Sequence, residues 1–223
     1  MGLLAYSPVR GAIHSFSFRS KKVRAKCIIT AYIMQIEFEA AFLKIDKDDM
    51  RRRLKEVGAV LVYPETLLKR DVFDPPLPIK GGWLRVRKEA DGTTMSLKVV
   101  DGDKIENQKE VELKIDNYKQ GVEFLSAIGA RHKSYQETKR ELWNFLDTRV
   151  TIDTWPGLQP FLEIESDGEE KVKEAAVALG FDYTQARFGA VDVVYMEELN
   201  IPFHIINQMP IITFENPPQR YNG

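Results

Sequence analysis

Along several stretches of this chain a charged or polar residue alternates with an apolar one, position by position. Successive side chains of a β-strand point to opposite faces, so residues i and i+2 share a face about 7 Å apart. Glu37 and Glu39, Arg85 and Arg87, Ser96 and Lys98, Glu110 and Glu112, Thr151 and Asp153, and Glu163 and Glu165 pair in this way. The faces behind them carry Ile36 and Phe38, Leu84 and Val86, Leu97 and Val99, Val111 and Leu113, Ile152, and Leu162 and Ile164. In an ordinary antiparallel sheet the charged face meets water and the apolar face forms the core. The alternative is a sheet that curls shut with its charges inside, and the helices of this chain favour it. They too need an apolar surface to lie on, and the sheet's greasy face is the one available.

The helical segments follow a repeated grammar. Asp46 reads as the N-cap of a helix with Met50, Leu54 and Val57 on one face and a stop at Gly58. Asp116 is expected to cap a second, with Val122, Leu125, Ile128 and a stop at Gly129. A third carries Val172, Ala176 and Leu179 and ends at Gly180. Further strands are predicted over residues 66–73, 83–88, 94–100, 139–145 and 149–154, separated by turn signals such as Gly81-Gly82 and Trp155-Pro156-Gly157. The predicted fold is α+β: an eight-stranded antiparallel barrel, closed or nearly so because many hairpin strands need their edges managed, with helices packed outside.

The chain of 223 residues carries 32 Lys and Arg against 33 Asp and Glu, a balance that does not mark a nucleic-acid binder. Residues 1–33 hold six basic residues and no acid, so the rest carries 26 bases and 33 acids. The leader has the composition of a targeting segment or of a mis-assigned start, Met34 standing directly before the first strand. The body, 34–223, reads as one domain with a helical extension from about residue 189. Its apolar segment 205–218 is expected to cover one end of the barrel. No apolar run approaches the roughly 20 residues of a membrane span. The lone Cys27 excludes an intrachain disulfide and points to a reducing compartment, the cytoplasm. Neither zinc-ligand spacing nor a phosphate-binding Gly-x-x-x-x-Gly-Lys loop is present.

An inward charged face would gather Glu37, Glu39, Glu110, Glu112, Asp153, Glu163 and Glu165 against Arg85, Arg87, Lys98 and Arg140, an excess of three negative charges. Enclosed carboxylates in excess recruit divalent metal or hold protons. Clustered carboxylates suit Mg²⁺ or Mn²⁺, and the bases opposite suit a ligand with several phosphates.

These residues, in this order, resemble the CYTH superfamily, the triphosphate tunnel metalloenzymes that include class IV adenylate cyclases and thiamine triphosphatases. The resemblance covers residues 35 to about 215. It is carried by Glu37-x-Glu39, Leu84-Arg85-Val86-Arg87, Ser96-Leu97-Lys98, Lys109-Glu110-Val111-Glu112, Lys139-Arg140 followed by Leu142-Trp143, Ile152-Asp153, Gly157-Leu158 and Phe161-Leu162-Glu163-Ile164-Glu165. It implies an eight-stranded tunnel that binds a triphosphate with Mg²⁺ or Mn²⁺. By position, Glu37, Glu39, Glu163 and Glu165 would hold metal, with Asp153 as a further ligand. Arg85, Arg87, Lys98 and Arg140 would hold phosphates, and Glu110 and Glu112 would orient those bases or bind a second metal. Glu37, Glu39, Arg85, Arg87, Lys98, Arg140 and Asp153 make up the implied catalytic set.

Two positions depart from the pattern. Ala41 stands where Glu-x-Glu-x-Lys would place a lysine, and Thr138 stands two residues before Arg140, where a basic residue is usual. The expected activity is metal-dependent hydrolysis of the terminal phosphate of thiamine triphosphate, a nucleoside triphosphate or tripolyphosphate. The alternatives are formation of cyclic AMP and pyrophosphate from ATP, or a weakly active polyphosphate- or nucleotide-binding module. The expected partner is a small-molecule triphosphate, with neither nucleic acid nor membrane, bound by a monomer or homodimer.

Overall fold

A computed structural model describes residues 34–223; the basic leader with Cys27, and the readings made of it, lie outside the described residues. The elements run β1 (Gln35–Ile36), β2 (Phe38–Phe42), α1 (Lys47–Glu56), β3 (Val60–Asp74), β4 (Gly82–Lys88), β5 (Thr93–Val100), β6 (Gln108–Ile115), α2 (Tyr118–Ala127), β7 (Arg131–Phe145), β8 (Thr148–Thr154), β9 (Phe161–Ser166), α3 (Glu169–Ala178), α4 (Asp192–Leu199), α5 (Phe203–Ile206) and β10 (Ile211–Ile212). No described helix is long and apolar enough to cross a membrane.

The sheet order is β1-β6-β5-β4-β3-β7-β8-β9-β2. Its two ends, β1 and β2, are separated only by Glu37, whose N–H donates to the Gln108 carbonyl at 3.0 Å. They are therefore two halves of one N-terminal strand. The first half pairs antiparallel with β6, Gln35 opposite Glu110, and the second pairs antiparallel with β9, Glu39 opposite Glu165. Counted as one strand, they turn an open sheet into the eight-membered ring that the sequence predicts.

The apolar faces point outward and meet helices. α1 and α3 cover β2, β8 and β9 with Met50, Leu54, Val172 and Ala176 against Phe42, Val150, Ile152, Leu162 and Ile164. α2 lies near β4, where Leu125 packs with Phe73 and Val86. The cover is incomplete, since Val111 and Leu113 on the outer face of β6 stay exposed. A third cluster joins Trp155, Leu158 and Phe161 to Val194, Tyr195, Ile201, Ile206 and Ile212. After it, β10 pairs parallel with β7 at Tyr135 and Gln136, along the edge where β8 pairs from Lys139 onward. The C-terminal segment is thus built into the core rather than laid over it.

Local signals account for most helix ends. Asp46 accepts from the Asp49 N–H at 2.8 Å, and Gly58, Gly129 and Gly180 take positive φ after their helices. The second cap is Asn117, which accepts from the Gln120 N–H at 3.1 Å, one residue after the expected Asp116. The last long helix starts at Asp192, not Gly189. β3 and β7 are each 15 residues long, far beyond their predicted spans. Register shifts near Leu61, Tyr63 and Thr66, around Pro64, interrupt the period-two pattern that would have disclosed the extra length.

Gly81 sets the hairpin that delivers β4. Its φ is +68°, and a Cβ there would stand 1.9 Å from the Val100 carbonyl oxygen. Gly81→Ala is expected to cost about 2 kcal/mol or more in chemical denaturation, through backbone strain and collision together. An unchanged midpoint would contradict this close approach.

Candidate functional site

The barrel encloses a cavity of about 780 Å³, and ten of the eleven predicted site residues line it: Glu37, Glu39, Arg85, Arg87, Lys98, Glu110, Glu112, Arg140, Glu163 and Glu165. The strand register explains their convergence. Lys98 sits opposite Glu110, Ser96 lies between Arg85 and Glu112, and Glu39 opposes Glu165, so one parity per strand faces the lumen. The eleventh, Asp153, is 0% exposed and stands behind Arg140, accepting from its Nε at 2.7 Å and from Nη2. In this arrangement it anchors the guanidinium rather than facing the cavity.

The ring order sorts the charges. The consecutive strands β9, β1–β2 and β6 carry Glu163, Glu165, Glu37, Glu39, Glu110 and Glu112. The consecutive strands β4, β3 and β7 carry Arg85, Arg87, Arg70 and Arg140. One arc of the wall is acidic and the other cationic. Lys98 on β5 joins them, its Nζ 2.9 Å from Glu37, 3.2 Å from Glu39 and 3.8 Å from Glu110. Arg85 pairs with Glu110 at 2.9 Å, and Arg87 with Glu89 at 2.6 Å. Arg140 spans Asp153 and Glu163.

Burial inside this wall separates the carboxylates into two kinds. Burial pushes Glu37 up to about 8; Lys98 opposes that rise, while Glu110 and Glu165 add to it. Burial also drives Glu163 well above the carboxylate range, reinforced by Glu39 and Asp153. Against the same burial, Arg85 and Lys98 hold Glu110 down to about 2, and Arg87 does the same for Glu89. Lys98 and Arg140 keep Glu39 below its ordinary value despite burial. The acidic arc therefore has more carboxylate than Lys98, Arg85 and Arg140 together neutralise, and Glu37 and Glu163 are pushed toward the neutral form. A hard divalent cation fits that deficit. Among the described residues no three acidic or histidine side chains form a ready-made metal cage; the Lys98 ammonium stands among the glutamates.

Several lining residues escape the sequence reading: Arg70, Lys133, Gln136, Arg149, Gln108 and Trp155, together with residues 188–193, Phe203 and Asn207. Among the described residues the lining carries eight acids and seven bases, so the predicted negative excess largely disappears. Arg149 and Gln108 continue the parities of Asp153 and Glu110, and extending the period-two rule by one step finds them. Arg70 has no such signal, because Lys69 beside it is equally eligible. Lys133 lies just beyond the register shift near Val72, which breaks the parity rule on β7. Lys139, the adjacent base of the imperfect motif, stands over the Phe214 ring at 4.9 Å and leaves the lumen to Arg140. Ala41 exchanges backbone hydrogen bonds with Arg187 at 2.9 Å and brings no charge. The extension lines the cavity through residues 188–193, Phe203 and Asn207, the last of these within the segment expected to cover it.

A family model described as CYTH domain matches residues 36–193. Solved structures share the fold at low identity. A conserved hypothetical protein from Pyrococcus furiosus is 22% identical with a TM-score of 0.56, over 68% of this chain and 94% of that one. The PH1012 protein of Pyrococcus horikoshii is 18% identical, TM-score 0.56, over 68% and 94%. A Vibrio parahaemolyticus protein described as a "putative adenylate cyclase" is 14% identical, TM-score 0.61, over 72% and 98%. No curated protein matches the chain.

The Glu37 shift fixes the sign of a pH effect. A carboxyl whose pKa rises from 4.5 when unfolded to about 8 when folded favours folding below pH 4.5. That contribution is lost as pH rises through 8. In ligand-free protein, Glu37→Gln should flatten the fall in stability between pH 4.5 and 8, measured by urea denaturation across that window. Parallel wild-type and variant curves would contradict the burial of Glu37 against Glu110 and Glu165.

Proposed function

The chain belongs to the CYTH domain family, and we propose that its tunnel binds a triphosphate with a divalent metal and hydrolyses the terminal phosphate. The observation that carries this reading is the sorted lumen, with an acidic arc facing a cationic one across a cavity of about 780 Å³. Phosphoryl transfer asks a protein mainly for positioning and charge neutralisation, and the two arcs offer both. Arg85, Arg87 and Arg140 would hold phosphate oxygens. Their guanidinium forks match tetrahedral oxyanions, and Glu110, Glu89 and Asp153 fix their orientation. Glu37, Glu39, Glu163 and Glu165 would hold Mg²⁺ or Mn²⁺, which when bound supplies positive charge against the phosphate oxygens. Water attacks the terminal phosphorus and the bond to the bridging oxygen breaks. The arginine wall stabilises the charge left on the diphosphate product. Lys98 keeps the acidic arc assembled between turnovers.

A second reading takes its motive from the description of the Vibrio neighbour: the ribose 3′-hydroxyl of ATP attacks its α-phosphorus and pyrophosphate leaves. The same arcs would serve it. Purified protein incubated with Mg²⁺ or Mn²⁺ and ATP, thiamine triphosphate or tripolyphosphate separates the two. Orthophosphate release is the expected result, cyclic AMP with pyrophosphate would replace hydrolysis by cyclisation, and no metal-dependent turnover of any of the three would contradict both. Glu165→Gln should lower kcat by about 100-fold or more with the melting temperature preserved. Arg85→Ala should instead raise KM by about tenfold or more. Wild-type kinetics in both variants would remove these roles.

A further inference from the structure

Four other cations of the lumen have carboxylate partners: Arg85 has Glu110, Arg87 has Glu89, Arg140 has Asp153 and Glu163, and Lys98 has Glu37. Arg70 has none among the described residues. Its side chain lines the cavity and the residue is only 6% exposed. One nitrogen, Nη2, donates to the Thr138 hydroxyl at 2.6 Å, while Nε is buried without a hydrogen-bond partner among the described residues. The guanidinium lies over the Trp155 ring at 4.5 Å, and Trp155 is packed against Tyr195 of the C-terminal cluster. On the sheet Arg70 stands directly between Arg87 and Gln136. Burial lowers its proton affinity well below the usual arginine range, and Arg87, Arg85 and Arg140 push the same way. A buried, unpaired guanidinium among like charges works against the stability of the empty protein. Sites that await an anion are where such a cost is retained.

We propose that Arg70 is a substrate-binding residue of the lumen, held by Trp155 and Thr138 so that its remaining N–H groups take phosphate oxygens. It completes a cluster of four arginines from β3, β4 and β7. Thr138 occupies the inward position two residues before Arg140, where a basic side chain was expected, and Arg70 reaches that hydroxyl from the neighbouring strand. The positive charge absent from β7 at that level is thereby supplied from β3. Stacking on Trp155 directs the guanidinium without a carboxylate, which would compete with the ligand for its donors. The inference rests on the triphosphate reading and adds to it a cation that has no carboxylate ion-pair partner among the described residues.

Inorganic tripolyphosphate with excess Mg²⁺ is the probe, with binding followed by calorimetry and ligand-free stability by thermal unfolding, for wild type, Arg70→Gln and Arg70→Lys. Arg70→Gln is expected to bind tripolyphosphate at least tenfold more weakly while the ligand-free melting temperature stays level or rises. Arg70→Lys should recover part of the affinity. Unchanged affinity in Arg70→Gln, with wild type binding normally, overturns the role of Arg70 and leaves the triphosphate reading standing. No binding by wild type overturns that reading, and this inference with it. If Arg70→Gln loses both affinity and stability, or does not fold, Arg70→Lys decides: recovered affinity supports the proposal, and affinity no better than a tenfold loss overturns it.

Discussion

A curled antiparallel sheet places one parity of every strand inside, where carboxylates and guanidiniums lose most of their water. The inward set must then neutralise itself, hold protons or bind something. This barrel does the first two in different places. Glu110, Glu89 and Asp153 are ionised beside arginines, whereas Glu37 and Glu163 are driven toward the neutral form by burial and by neighbouring carboxylates. The result is a wall with a surplus of potential negative charge along one arc and a dense group of guanidiniums along the other. The proposed metal-bound polyphosphate would answer both at once.

Closure makes that enclosure possible and rests on a short seam. β1 contributes two residues to its ladder with β6, and the Glu37 N–H adds a third link at Gln108. The residue at the break between the two halves is itself a lumen carboxylate. The acidic arc and the mechanical closure of the ring therefore share the same few residues, and a change that loosens the seam also moves Glu37 relative to Lys98. At the other side the C-terminal cluster holds Trp155, which sets Arg70. Packing outside the barrel thus reaches the cationic arc through one aromatic ring.

Much of this was legible in the sequence, and for a specific reason. A strand with a two-residue period states which residues share a face, and the ordered motifs stated which way the face turns. Glu37, Arg85, Lys98 and Glu163 needed nothing more. Asp153 was legible as an inward residue but not as the support of Arg140, because parity gives a face and not a partner. Arg70 was hidden by its neighbour Lys69, Lys133 by a register shift, and the reach of β3 past Pro64 by bulges. The cap at Asn117 in place of Asp116 reflects two adjacent side chains with equal capping chemistry. The lining contributed by residues 188–193 and Phe203 depends on where a C-terminal extension docks, and no local period encodes that.

The charged parity of these strands is proposed to form a single enclosed polyphosphate site. A crystal structure of the protein with Mg²⁺ and tripolyphosphate tests it most directly. The triphosphate is expected inside the ring, with its oxygens on Arg85, Arg87 and Arg140 and the metal toward the glutamate arc. A ligand bound elsewhere, or a lumen in which Glu37, Arg85 and Glu165 do not face a common space, would contradict it.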